Sequence, residues 1–246
     1  MATPGAESLW LWIGTIGMTI GTLYFVGRGR GVRDPEMQQF YIATIFITTI
    51  AGAMYLLMAT GFGLTEVMVG DQALDIYWAR YADWVFTTPL LLFDLALLAG
   101  ADRNTLATLV GLDVFMILTG LIAALEPTPA YRILWWGIST GALLALLYIL
   151  VGTLSEQARA KSSDVAQLFS RLRNLTVLLW LLYPVVWILG TEGTIGVLPL
   201  YWETAVFMVL DLSAKVGFGF LLLRSRSVLE QATQPEPEPE TTTATA

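Results

Sequence analysis

Seven stretches of this chain are each long and apolar enough to cross a bilayer, and that pattern limits the fold more than any other feature. A transmembrane helix needs about 20 mostly apolar residues. Stretches of that kind run at Leu9–Val26, Met37–Gly61, Ile76–Ala99, Thr105–Leu125, Ile133–Leu154, Leu175–Leu189 and Tyr201–Leu223, called here spans A to G. The sixth can begin as early as Val165. The expected fold is an all-α membrane protein, a seven-transmembrane-helix bundle in the cell membrane. Its transmembrane domain covers residues 1–226. Residues 227–246, with PEPEPE and TTTATA in their last part, have little to bury and are expected to form an acidic, disordered cytoplasmic tail. Span A has no basic stretch before it and no small-residue cleavage site after it, so it is expected to remain a span.

Composition removes several classes of function. The chain has no Cys and no His, which excludes zinc fingers, disulfide scaffolds, Cys nucleophiles and Ser-His-Asp triads. Charged residues make up 13%, against about 25% in a soluble domain. A net charge of -7 argues against a nucleic-acid partner.

Lys and Arg in the loops orient the bundle. Ten of the thirteen lie in the A–B, C–D and E–F loops or after span G, and only Arg132 lies on the other side. Short cytoplasmic loops carry the excess of positive charge, so the N-terminus is outside and the C-terminus inside. In the B–C loop, Thr65–Val69 and Gln72–Ile76 flank Gly70-Asp71, a two-residue turn signal. This loop is either a small extracellular β-hairpin or irregular. Pro89 and Pro184 lie inside spans C and F, where each removes a backbone hydrogen bond and predicts a kink. No internal repeat is evident, which weighs against an inverted-repeat transporter.

Six charged residues sit well inside the spans: Arg80, Asp83, Asp94, Asp113, Asp211 and Lys215. Charge in a membrane is costly and usually functional. Arg80 and Asp83 are i,i+3 and Asp211 and Lys215 are i,i+4, so each pair shares a helix face. Asp83 and Asp94 are about three turns apart, roughly 16 Å along one face. Counted along span G, Lys215 falls at a depth between them. An ionised amine there would be held by Asp83 and Asp211. No base lies near Asp94, so burial favours its protonated form. An inner acid that holds a proton and an outer one that accepts it make a relay from inside to outside. The structural alternative is an ion-pair network that only fixes packing. For Asp113, a structural hydrogen bond to span E is the simpler reading.

Lys215 is one of two lysines, and a desolvated lysine forms Schiff bases with carbonyl compounds. Aromatic residues gather at mid-membrane depth: Trp84, Trp135, Trp136, and Trp180, Tyr183 and Trp187 along one face of span F. Each ring alone is ordinary packing or an interface anchor. Together they can wall a slot for a long flat ligand.

The segments RYADWVFTTPLLLFDLALL (80–98) and FMVLDLSAKVGFGFLLLRSR (207–226) closely resemble the microbial rhodopsins, specifically the bacteriorhodopsin-type light-driven proton pumps of halophilic archaea. WWGIST (135–140), LLYPVVW (181–187) and TEG (191–193) match too, so the likeness covers nearly the whole chain. The resemblance implies all-trans-retinal on Lys215 as a protonated Schiff base. By the same resemblance Asp83 is the proton acceptor, Asp211 the second counter-ion and Asp94 the donor, helped by Thr44. Arg80 passes the charge change outward to Glu192 and Glu203. Tyr55 and Tyr183 bond Asp211, and Thr87 bonds Asp83. The pocket comprises Trp84, Thr88, Met116, Trp136, Ser139, Thr140, Trp180, Tyr183 and Trp187. Leu143 stands where the family has a methionine. A homotrimer is also implied.

Two further readings stay open at this point. One is a phototaxis sensory rhodopsin signalling to a membrane transducer. Sensory members generally lack the acid at the position of Asp94, and chloride pumps lack the one at Asp83; this chain has both. The other is a retinal-free seven-helix receptor or transporter.

Overall fold

A computed structural model describes residues 3–193 and 195–233. Seven helical spans form, as the hydropathy requires. They are α1 (Ser8–Gly29), α2 (Pro35–Ala59), α3 (Trp78–Ala99), α4 (Arg103–Leu125), α5 (Pro129–Val151), α7 (Ser163–Leu189) and a seventh made of α8 (Leu200–Leu212), a π-helical turn (Ser213–Gly217) and α9 (Phe218–Arg224). A short α6 (Thr153–Arg159) follows α5 after Gly152. The B–C loop is an antiparallel hairpin of β1 (Thr65–Val69) and β2 (Gln72–Ile76), pairing Thr65 with Ile76 and Val69 with Gln72. Gly70 takes φ +60 at its turn, a conformation that favours glycine.

The ends of the helices follow their sequences. Asp34 accepts hydrogen bonds from the backbone N–H of Glu36 and Met37, with Pro35 in the first turn of α2. Asp102 does the same for Asn104 and Thr105 at the start of α4. The Thr105 hydroxyl, which also donates to Asp102, together with these backbone bonds lowers the carboxyl pKa to about 2. The α7 span begins at Ser163, twelve residues before Leu175. Its first turns mix Arg171, Arg173 and Asn174 with buried Val165, Leu168 and Phe169, so the earlier start at Val165 is the better reading of this span. α3 and α7 run unbroken through Pro89 and Pro184.

Outward faces are apolar and open, as lipid contact demands, with Ile20, Leu23 and Tyr148 among the exposed side chains. The polar residues turn inward, and all six intramembrane charges are buried. α1 approaches its neighbours closely at glycines: a methyl group at Gly14 would sit 2.2 Å from the Tyr55 ring. The expected tail does not start at residue 227. Arg226–Thr233 forms a helix, α10, that buries Leu229, and Gln231 accepts a hydrogen bond from Ser162 at 3.0 Å. Gln234–Ala246 lies outside the described residues.

Candidate functional site

Lys215 projects from the π-helical turn of the seventh span and is 1% exposed. Such a turn widens the helix locally and often marks a functional position. The Lys215 Nζ lies 2.6 Å from Asp83 Oδ2 and 3.1 Å from Asp211 Oδ1. The i,i+4 and i,i+3 spacings read from the sequence therefore converge on one amine, with Asp83 brought in from α3.

The two carboxylates are held unequally. Asp211 accepts from Tyr55 at 2.7 Å on Oδ2, and from Tyr183 at 2.9 Å, Trp84 at 3.2 Å and Lys215 at 3.1 Å on Oδ1. Among the described residues, Asp83 accepts from Lys215 and from Thr87, the latter at 3.2 Å. A carboxylate with four donors aimed at it has no room to become a donor itself. Asp83 does.

Outward from this trio lies Arg80, 2% exposed, with its guanidinium 4.3 Å from the Phe207 ring centroid. Its Nη1 is 3.5 Å from Glu192 Oε1 and 3.8 Å from Glu203 Oε1. Tyr81 donates to Glu192 and accepts from the Trp187 indole at 2.7 Å. Burial pushes the Glu192 carboxyl up, against the pull of Arg80. Glu203 accepts from the Thr191 backbone N–H at 2.6 Å.

Inward, Asp94 is fully buried and Thr44 donates to its Oδ2 at 3.4 Å. Asp94 Oδ1 has no partner. Asp113 differs from expectation. It accepts from Thr88 on α3 at 2.7 Å, and its bond is not to α5, because the face of α4 that carries it packs toward α3.

A slot starts at Lys215 and runs between α3, α4, α5 and α7. All ten residues expected around the cofactor line it: Trp84, Thr88, Met116, Trp136, Ser139, Thr140, Trp180, Tyr183, Trp187 and Lys215. Leu143 lines it as well. The walls are flat rings and apolar chains, with an amine at one end. This is the chemistry a long polyene aldehyde requires, so the residues fit retinal. The Thr140 hydroxyl has no protein partner.

Sequence reasoning missed three participants. Arg132 reads in the sequence as a loop base, yet it is buried within α5 and donates to the carbonyls of Ala124, Glu126 and Glu192. Its position three residues inside the helix, after Pro129, was the available signal. Tyr81 was passed over between Arg80 and the pocket residue Trp84, three positions on. Tyr77 donates to the buried Glu7 at 2.7 Å, and burial together with this bond holds its phenol above the ordinary range.

Comparison with known proteins agrees with this geometry. The family described as "Bacteriorhodopsin-like protein" matches residues 5–229. A bacteriorhodopsin of Haloterrigena sp. is 78% identical over 234 residues, covering 95% of this chain and 94% of that one. The bacteriorhodopsin of Halobacterium salinarum is 53% identical, covering 95% and 88%. Among solved structures, a cyanorhodopsin from the cyanobacterium Calothrix sp. has a TM-score of 0.88 at 43% identity, covering 94% of this chain and 100% of that one. A thermophilic rhodopsin from Rubrobacter xylanophilus has a TM-score of 0.86 at 50% identity, covering 92% and 98%. This chain belongs to the bacteriorhodopsin-like family, as a light-driven proton pump of the cell membrane with retinal on a lysine.

Proposed function

We propose that the pump moves protons outward, with Asp83 as acceptor, Asp94 as donor and the Glu192–Glu203 pair as the release site. The observation that carries this is the unequal holding of the two carboxylates beside Lys215. The oxygens of Asp211 are taken up by four donors, whereas Asp83 has room for a proton. When bound, retinal supplies light absorption and a Schiff-base linkage at the Lys215 nitrogen that changes shape on illumination.

The proton at the Lys215 nitrogen passes to Asp83 Oδ2, which lies 2.6 Å from it. Neutral Asp83 no longer attracts Arg80, whose guanidinium then bears more fully on Glu192 and Glu203. That favours their ionised forms and expels a proton outward. Asp94 returns a proton to the Lys215 nitrogen from the inner side, with Thr44 holding its carboxyl. Pro184 leaves the Trp180 carbonyl without its helix partner, making α7 the natural element to flex and admit water toward Asp94.

Light-driven acidification of the medium around intact cells tests the reading. Acidification that a protonophore abolishes is expected. A pigment that bleaches and recovers while external pH stays constant would overturn it, and would favour a sensory role. A homotrimer, the assembly the resemblance implies, is tested by mass measurement of the protein in lipid nanodiscs. A single copy per particle across lipid-to-protein ratios would reject it.

A further inference from the structure

We infer that Thr48, anchored by Thr22, is a positioning residue for the Asp94 carboxyl, acting through Thr44; this rests on the donor role proposed for Asp94. Three buried or half-buried threonines form a directed chain from α1 across α2 to α3. The Thr22 hydroxyl lies 2.9 Å from Thr48 Oγ1 and 2.9 Å from the Met18 carbonyl, and donates to both in a shared bond. The Thr48 hydroxyl donates back to the Thr44 carbonyl at 3.2 Å and the Ile45 carbonyl at 3.3 Å. The Thr44 hydroxyl crosses to Asp94 Oδ2 at 3.4 Å. A hydroxyl has one proton to donate, so Thr22 shares its own between the Met18 carbonyl and Thr48. With the Thr48 proton turned to the carbonyls, its oxygen is left to accept from Thr22.

Many helical threonines in this chain bond back to the carbonyl four residues earlier, among them Thr15, Thr19, Thr87, Thr88 and Thr119. Thr44 instead turns its hydroxyl across to α3. Back-bonding by Thr48 draws on the Thr44 carbonyl and bends the helix at the turn that aims the Thr44 side chain. The contact from Thr44 to Asp94 is at the long end of hydrogen bonding, where a few tenths of an ångström decide whether the bond exists. Thr48 is 0% exposed, so its hydroxyl has no water to turn to in place of these partners. Asp94 has no partner on Oδ1, which leaves Thr44 as its recorded anchor among the described residues.

The test uses full-length pigment carrying Thr48→Val, Thr48→Ser or Thr22→Val, with Asp94→Asn as reference. Infrared difference spectroscopy reads the Asp94 carboxyl stretch, identified by its loss in Asp94→Asn. Flash photolysis separates deprotonation at Lys215 from its reprotonation. Thr48→Val should move the stretch to higher wavenumber and slow reprotonation about fivefold, the effect of one hydrogen bond, with deprotonation unchanged. Thr22→Val should change both in the same direction, and Thr48→Ser should restore both. Should Thr48→Val fail to fold, Thr22→Val decides. An unmoved stretch with unchanged reprotonation in the folded valine variants overturns the inference. Unslowed recovery in Asp94→Asn instead removes Asp94 as donor, while the infrared band still judges Thr48.

Discussion

Arg132 donates to the backbone carbonyl of Glu192, at 3.2 Å from Nε and 2.5 Å from Nη2. The base therefore fixes the loop, and the Glu192 side chain faces Arg80 and Tyr81. Arg132→Gln should leave buried carbonyls unsatisfied at a cost of about 1–3 kcal/mol. It should also delay proton release outside without slowing deprotonation at Lys215. A pH-sensitive dye in the medium, timed against the visible transients, checks this; unaltered release would separate loop geometry from release.

Lys215 carries the attachment chemistry, and its nearest alternative, Lys161, lies outside the spans. Lys215→Ala should give protein with no visible band after incubation with all-trans-retinal. The same variant loses the amine between two buried carboxylates. One of these must then take up a proton or the fold loses about 3–5 kcal/mol. Absorption spectra and thermal unfolding of the retinal-free protein measure the two effects.

Asp94→Asn removes the carboxyl that Thr44 anchors on the inner side of Lys215. Reprotonation at Lys215 should slow by at least tenfold and become proportional to external proton concentration, because the proton must then come from bulk water. Deprotonation should keep its rate. Flash photolysis between pH 5 and 9 reads both phases.

Burial holds the Glu192 carboxyl above its ordinary value, so the folded protein keeps a proton there to a higher pH than the unfolded chain. The folded state then binds more protons, and Glu192 contributes less stability as pH rises through that window. The functional counterpart is a change in timing. In acid, where the release pair stays protonated throughout, protons should appear outside late in the cycle. Between the value the pair takes once Asp83 is neutral and its higher resting value, they should appear early, because there the pair is protonated at rest and ionises during the cycle. Glu192→Gln should abolish early release at every pH, which dye measurements after a single flash can follow.

A methyl group at Gly14 would meet Tyr55 Cδ1 at 2.2 Å, and Tyr55 donates to Asp211 at 2.7 Å. Gly14→Val should displace the ring, cost about 1–3 kcal/mol by overpacking, and shift the visible band by altering the charge beside Lys215. An unshifted band with full stability would mean that α1 can retreat freely.

The spans, their orientation and the central trio were legible because each rests on short-range rules. Apolar runs give helices, and i,i+3 and i,i+4 spacings put Arg80 with Asp83 and Asp211 with Lys215. The hairpin came from Gly70-Asp71 alone, and an irregular loop remained open until the strand pairing was seen. What escaped depends on contacts between distant segments. Arg132 reads as a loop charge until the carbonyls of Ala124, Glu126 and Glu192 are known to surround it. Asp113 has partners available on either side, and only helix packing selects Thr88. The start of α7 was partly legible, since Val165, Leu168, Phe169 and Leu172 share a buried face, whereas α10 is amphipathic but too short for a hydropathy scan.

The two halves of the bundle differ in what surrounds their acids. Outside Lys215, tyrosines, glutamates and arginine touch one another in a continuous run. Inside it, Asp94 has Thr44 beside it, and the side chains buried in that half include Leu91, Leu95, Phe218 and Leu222. In darkness that inner plug is an insulator, so an electrical gradient already built cannot drain back through the molecule that built it. In the cycle proposed above that plug opens only when α7 flexes, which makes the resting protein a rectifier as well as an engine.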